Sequence, residues 1–120
     1  MRIHEVLRDV LLEHSCGVCA IEGLFHARNL RTALIMGEAR GAAMSAVALA
    51  GLAVYEVAPS QVKLAIAGHG AARKLAVARM VQRMLALSEL PASDEADALA
   101  IALTYVQEAG RVSLKPPKRV

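Results

Sequence analysis

Apolar and polar positions follow two different periods along this chain. From Ile3 to His14 the apolar residues Ile3, Val6, Leu7, Val10 and Leu11 recur every three or four positions. That spacing predicts an amphipathic helix. Val18-Cys19-Ala20-Ile21 is a short unbroken apolar run ending in Glu22-Gly23, as expected of a strand buried on both faces. Leu24 to Asn29 reads as a loop, and a long helix follows from about Arg31 to Leu49. Within it Gly37 and Gly41 are spaced so that another element can approach closely.

Gly51 ends that helix, and Ala53-Val54-Tyr55-Glu56-Val57 reads as a second strand. Pro59 suits the first turn of a short helix covering Gln61 to Ile66, and Gly68-His69-Gly70 is a turn. A further amphipathic helix is expected from about Ala72 to Leu87. Pro91 then breaks the chain, and Ser93 is placed to cap a last helix from Asp94 to about Glu108. The pattern gives one α/β domain over residues 1–108 with a parallel strand pair. A basic, proline-bearing tail over 109–120 is expected to be disordered. Two strands make a poor sheet, so the pattern implies others.

Composition narrows the fold class. The chain has 120 residues, enough for one modest core, and 56% are hydrophobic. Alanine supplies much of that fraction, and the aromatics are only two Tyr and one Phe, which favours closely packed helices over a β-sandwich. The longest apolar run, Gly41 to Tyr55, is shorter than the roughly 18–20 residues of a bilayer span. Charged residues break up the first positions, so no signal peptide is read, and the protein is expected to be cytoplasmic with no membrane partner. A net charge of +3 permits a nucleic-acid partner without requiring one.

Four features could carry chemistry. Asp94 and Asp97 lie three apart at a helix start, and Glu22 ends a buried strand. Carboxylates converging there would need a hard cation such as Mg²⁺. Acids in a first helical turn also simply complement the helix dipole. Lys63, the Gly68-His69-Gly70 turn, Arg73 and Lys74 form a basic, glycine-bearing stretch suited to phosphate, although a G-x-G is equally an ordinary helix–helix turn. Phe25, beside His26 and Arg28, could stack on an unpaired base or fold back under its loop. Cys16 and Cys19 have the C-x-x-C spacing of half a zinc site or a redox pair, but no second Cys/His pair completes a zinc site. They are read as inert thiols.

Several of these segments recur together in one known family. Ala20-Ile21-Glu22-Gly23-Leu24-Phe25, Gly37-Glu38-Ala39-Arg40-Gly41, Tyr55-Glu56-Val57-Ala58-Pro59 and Val62-Lys63 resemble the RuvC family of Holliday-junction resolvases. So do Gly68-His69-Gly70-Ala71 with Lys74, Met80 to Leu85, and Asp94-Glu95-Ala96-Asp97-Ala98-Leu99-Ala100-Ile101-Ala102. The resemblance runs in family order from Ile3 to about Tyr105. It implies an RNase H-like fold, a homodimer, binding of four-way DNA junctions, and symmetric nicking of two opposed strands by carboxylate-bound Mg²⁺ (or Mn²⁺), two ions to a complete site. By position Glu22, Asp94 and Asp97 resemble metal ligands. Lys63 and Lys74 resemble residues of DNA contact and catalysis, Phe25 resembles the stacking aromatic, and Arg28 and Arg73 would join the DNA contacts. The RuvA–RuvB branch-migration complex is the further partner implied.

The resemblance also implies a preceding strand with an I-D-P-G-type motif, whose aspartate is a fourth ligand; no D-P-G occurs here. A misassigned start, a fragment and a true short paralogue are all compatible with that. The expectation is therefore a resolvase-type chain with little nicking activity alone. The rivals are a non-catalytic junction-binding paralogue and a C-x-x-C metal or redox protein.

Overall fold

A computed structural model of the chain describes residues 2–23, 29–69, 73–110 and 118–120. In order, the elements are α1 (Arg2–Glu13), β1 (Val18–Glu22), α2 (Leu30–Leu49), β2 (Ala53–Val57), α3 (Pro59–Ala67), α4 (Lys74–Met84), α5 (Ser93–Ala109) and β3 (Lys118–Arg119). The three strands form one sheet in the order β1-β2-β3. The Gly23 amide, one residue past β1, donates to the carbonyl of Val57, the last residue of β2, at 2.9 Å. The two strands therefore end side by side and run the same way, which α2 makes feasible as the crossover between them.

The chain divides into two compact units. The first comprises Met1–Cys19, Leu24–Tyr55 and Arg119–Val120. Here α1 packs on α2. His4, Leu7 and Leu11 form the half-buried stripe of α1, while Val6, Val10 and Leu12 remain exposed and no α1 residue is fully buried. The start of α2 is fixed by Asn29, whose side-chain oxygen accepts from the Thr32 amide at 2.9 Å. Its end is a Schellman turn: the Gly51 amide donates to Ala48, the Leu52 amide donates to Val47, and Gly51 takes φ +79°. Along α2 only Ala46 and Val47 are buried; Leu30, Leu34, Ile35 and Met36 are exposed.

The second unit comprises Ala20–Gly23 and Glu56–Lys118. Its core joins Val57 of β2 to Val62 and Ile66 of α3, Val77 and Val81 of α4, and Ala100 of α5. Ala96 and Ala100 let α5 lie close to its neighbours, and Thr104, buried beside them, donates its hydroxyl to the Ala100 carbonyl at 2.7 Å. A hydroxyl buried there costs little because it is paired within its own helix.

Element ends differ from the sequence expectations at three places. Pro59 is itself the first residue of α3, two positions before the expected start, because Gln61 accepts from the Ala58 amide at 2.8 Å and closes the turn. The α5 N-cap is Ala92 and Ser93 lies inside the helix, so Ser93 does not cap it. α4 closes at Met84 instead of Leu87, because Ala86 takes φ +53° and the Leu87 amide turns back to the Gln82 carbonyl. Of the tail expected to be disordered, residues 111–117 lie outside the described residues, while Lys118–Arg119 form β3 and the Val120 amide donates to Val54 at 2.8 Å.

Val81 is 0% exposed. Val81→Ala should lower unfolding free energy by about 2 kcal/mol, whereas exposed Leu64→Ala should change it by no more than about 0.5 kcal/mol. Urea titration of the two variants measures both.

Candidate active site

Glu22 ends β1 with its side chain exposed, and the buried Gly23 follows it. Gly23 is a close-approach position. A Cβ there would lie 3.1 Å from Oε1 of Glu56, so any side chain would press on that carboxylate. Glu56, half-buried near the end of β2, was not singled out from the sequence. Only the β1–β2 register reveals that its carboxylate stands against the residue after Glu22.

Lys63 lies on α3 beside Val62, half-buried, and makes no ion pair among the described residues. Arg73 is the exposed N-cap of α4, and Lys74 is its first helical residue. Asp94 sits in the first turn of α5 with Glu95, and Asp97 lies one turn on. The structure brings two of these together: Lys74 Nζ lies 3.2 Å from Asp97 Oδ2, with side chains 76% and 48% exposed. Such a pair contributes about 0–1 kcal/mol to stability, so it is easily exchanged for another partner.

Both residues stand on the wall of a cleft of about 230 Å³, shared with Leu75 and Ala78 of α4, Leu90, Pro91 and Ser93 of the connection, and Ala96 of α5. Apolar side chains line most of it. An ammonium and a carboxylate on such a wall offer a phosphate one cation and a competing anion. Among the described residues no group of three or more His, Cys, Asp or Glu is placed to hold a metal ion. The expected gathering of Glu22, Asp94 and Asp97 into one ligand group is thus not assembled there. Phe25, Arg28 and Gly70 lie outside the described residues.

Neither cysteine is in a disulfide; Cys16 is exposed and Cys19 half-buried. Burial pushes the Cys19 thiol above its ordinary value, and the neighbouring Cys16 adds to that. At neutral pH a raised pKa keeps Cys19 protonated, and a protonated thiol is a poor nucleophile and metal ligand. Iodoacetamide at pH 8 should therefore alkylate Cys16 well before Cys19, which peptide mass mapping against time would show.

Among the described residues no helix is long and apolar enough to cross a membrane.

Comparison with known proteins gives a consistent result. The family profile described as crossover junction endodeoxyribonuclease RuvC matches residues 1–105. The chain is 45% identical over 114 residues to the crossover junction endodeoxyribonuclease RuvC of Myxococcus xanthus, covering 93% of this chain and 59% of that protein. It is 48% identical over 104 residues to that of Halorhodospira halophila, covering 87% and 62%. The chain thus spans about three fifths of the curated relatives it matches. Among solved structures, Thermus thermophilus RuvC in complex with a Holliday junction substrate superposes with a TM-score of 0.91 at 42% identity, covering 99% of this chain and 71% of that one. A second Thermus thermophilus RuvC structure gives a TM-score of 0.85 at 39% identity.

Proposed function

The chain belongs to the RuvC family and has its RNase H-like fold, and from that premise we propose that it takes part in resolving four-way DNA junctions as a structure-selective endonuclease. The carrying observation is the Lys74–Asp97 pair beside the acid-bearing start of α5. A residue expected to meet phosphate and one expected to hold a cation share the wall of one cleft.

Within this reading the chain's own residues have distinct work. Arg73 and Lys74, exposed at the start of α4, and Lys63 on α3 bind the DNA backbone as point charges. Phe25 and Arg28 are proposed to meet bases and backbone beside them. Lys74 would leave Asp97 for a phosphate oxygen when DNA enters, freeing the carboxylate as charge develops at the scissile phosphate. Glu22, Asp94 and Asp97 offer only oxygen donors, the chemistry that Mg²⁺ or Mn²⁺ prefers. The described residues do not gather three acids at one point, so the described acids do not complete such a centre.

A second copy of the chain is proposed as partner, because two-fold symmetry would present equivalent sites to opposed strands of a junction. The apolar side chains exposed on α1 and on the first half of α2 give such contacts material. The RuvA–RuvB branch-migration complex remains the further proposed partner, and a cytoplasmic location belongs to the same reading.

A second reading draws on the same missing ligand group: a junction-binding protein without nicking activity. Incubating the chain with a synthetic four-way junction separates the two. The endonuclease reading expects slow paired nicks with Mg²⁺, because the described acids do not complete a metal site, falling to background in Asp97→Asn while junction affinity in EDTA is retained. Salt-sensitive binding indifferent to Mg²⁺, with no nicks in either protein, would establish the second reading instead.

A further inference from the structure

The outward side of α4 carries a basic site that the junction-resolving residues do not use. Arg79 and Arg83 are one helical turn apart and both exposed, while Val77, Ala78 and Val81 on the same helix are buried. With 3.6 residues per turn, Arg79 and Arg83 point roughly 140° and 180° away from Lys74 around the helix. They line a separate cleft of about 530 Å³ with Gln82, Ala86 and Leu87.

Among the described residues that cleft carries no counter-charge. The chain doubles back at Ala86, whose φ is +53°; the Leu87 amide donates to the Gln82 carbonyl at 2.9 Å, and the Gln82 side-chain amide donates to the Leu87 carbonyl at 3.4 Å. No acidic residue among those described lines it. Among the described residues neither arginine has an ion pair or side-chain hydrogen bond, although Arg8 and Lys74 each find an aspartate. Like charges one turn apart oppose helix formation slightly, by a few tenths of a kcal/mol. An oxyanion between them would reverse that.

We propose that Arg79 and Arg83 bind the phosphodiester backbone of a duplex DNA arm, at a site apart from the Lys74–Asp97 cleft. Guanidinium forks match phosphate oxygens in two-point contacts, and Gln82 adds a neutral wall beside them. The cleft is open and has no aromatic side chain, so it suits a backbone lying across it better than a small ligand that needs enclosure. The choice of DNA over another polyanion rests on the junction-resolving reading above.

The test uses the full chain, a synthetic four-way junction and a plain duplex, with affinity measured against NaCl. Each phosphate contact contributes about 0.9 to the slope of log affinity on log salt, so the Arg79→Gln/Arg83→Gln double variant should lose nearly two units of slope. Between about 50 and 200 mM NaCl the wild-type chain should then lose about tenfold more affinity than the double variant. Arg8→Gln lowers net charge on α1 and should leave the slope unchanged, while far-UV circular dichroism confirms that each variant is folded. An unchanged slope in the double variant, or an equal loss in Arg8→Gln, would overturn the site and leave the junction reading standing. Inorganic phosphate that displaces duplex through these arginines as well as unlabelled duplex does would assign the cleft to a free anion and also overturn it. A wild-type chain that binds neither DNA would sink both ideas together.

Discussion

The bond from the Gly23 amide to the Val57 carbonyl sets the register of β1 on β2, and much of the site geometry follows from it. A shift of one residue would turn every side chain of a strand to the other face of the sheet. In the observed register Val57 enters the core of the second unit, Glu22 emerges at the strand end, and the Glu56 carboxylate comes to rest against Gly23. Glycine fits without adjustment where that happens, whereas a Cβ would sit 3.1 Å from a carboxylate oxygen and make the Glu56 side chain shift by a few tenths of an ångström. One backbone contact thereby decides where a candidate functional acid stands and how closely its neighbour is packed.

The helices of the second unit meet through small side chains. Ala78, Ala96 and Ala100 are buried beside Val77 and Val81, and they allow close contact of α4 with α5. That proximity is what lets Lys74, at the beginning of one helix, reach Asp97 near the beginning of the other. The alanine-rich composition is thus a condition of the ion pair as well as of packing. The pair itself adds little to stability because both partners remain largely in water. Its effect is positional: it holds an exposed cation beside a carboxylate.

Much of this was legible in the chain's pattern. The spacing of Ile3, Val6, Leu7, Val10 and Leu11, the unbroken run from Val18 to Ile21 and the proline at 59 each announced an element that the structure contains. Pairing of residues distant in sequence was not legible. Lys74 and Asp97 were each marked as candidates, yet nothing in their spacing showed that they touch. Glu56 gave no sign of its position because a strand residue becomes informative only once its neighbour's register is known. The stop at Met84 was equally hidden, since alanine at 86 advertises helix and takes a left-handed turn instead. Residues 118–119 lack the alternation that marks a strand, being two adjacent basic side chains after two prolines.

That last small strand alters the status of β2. Flanked by β1 on one side and by Lys118–Arg119 on the other, β2 is the middle strand of the sheet, with its second border paired near Val54. Trimming those two residues would convert it into a margin bearing the apolar Val54 and Val57 and able to recruit foreign chains. Two residues thus decide whether that stretch of β2 is a border or an interior of the sheet.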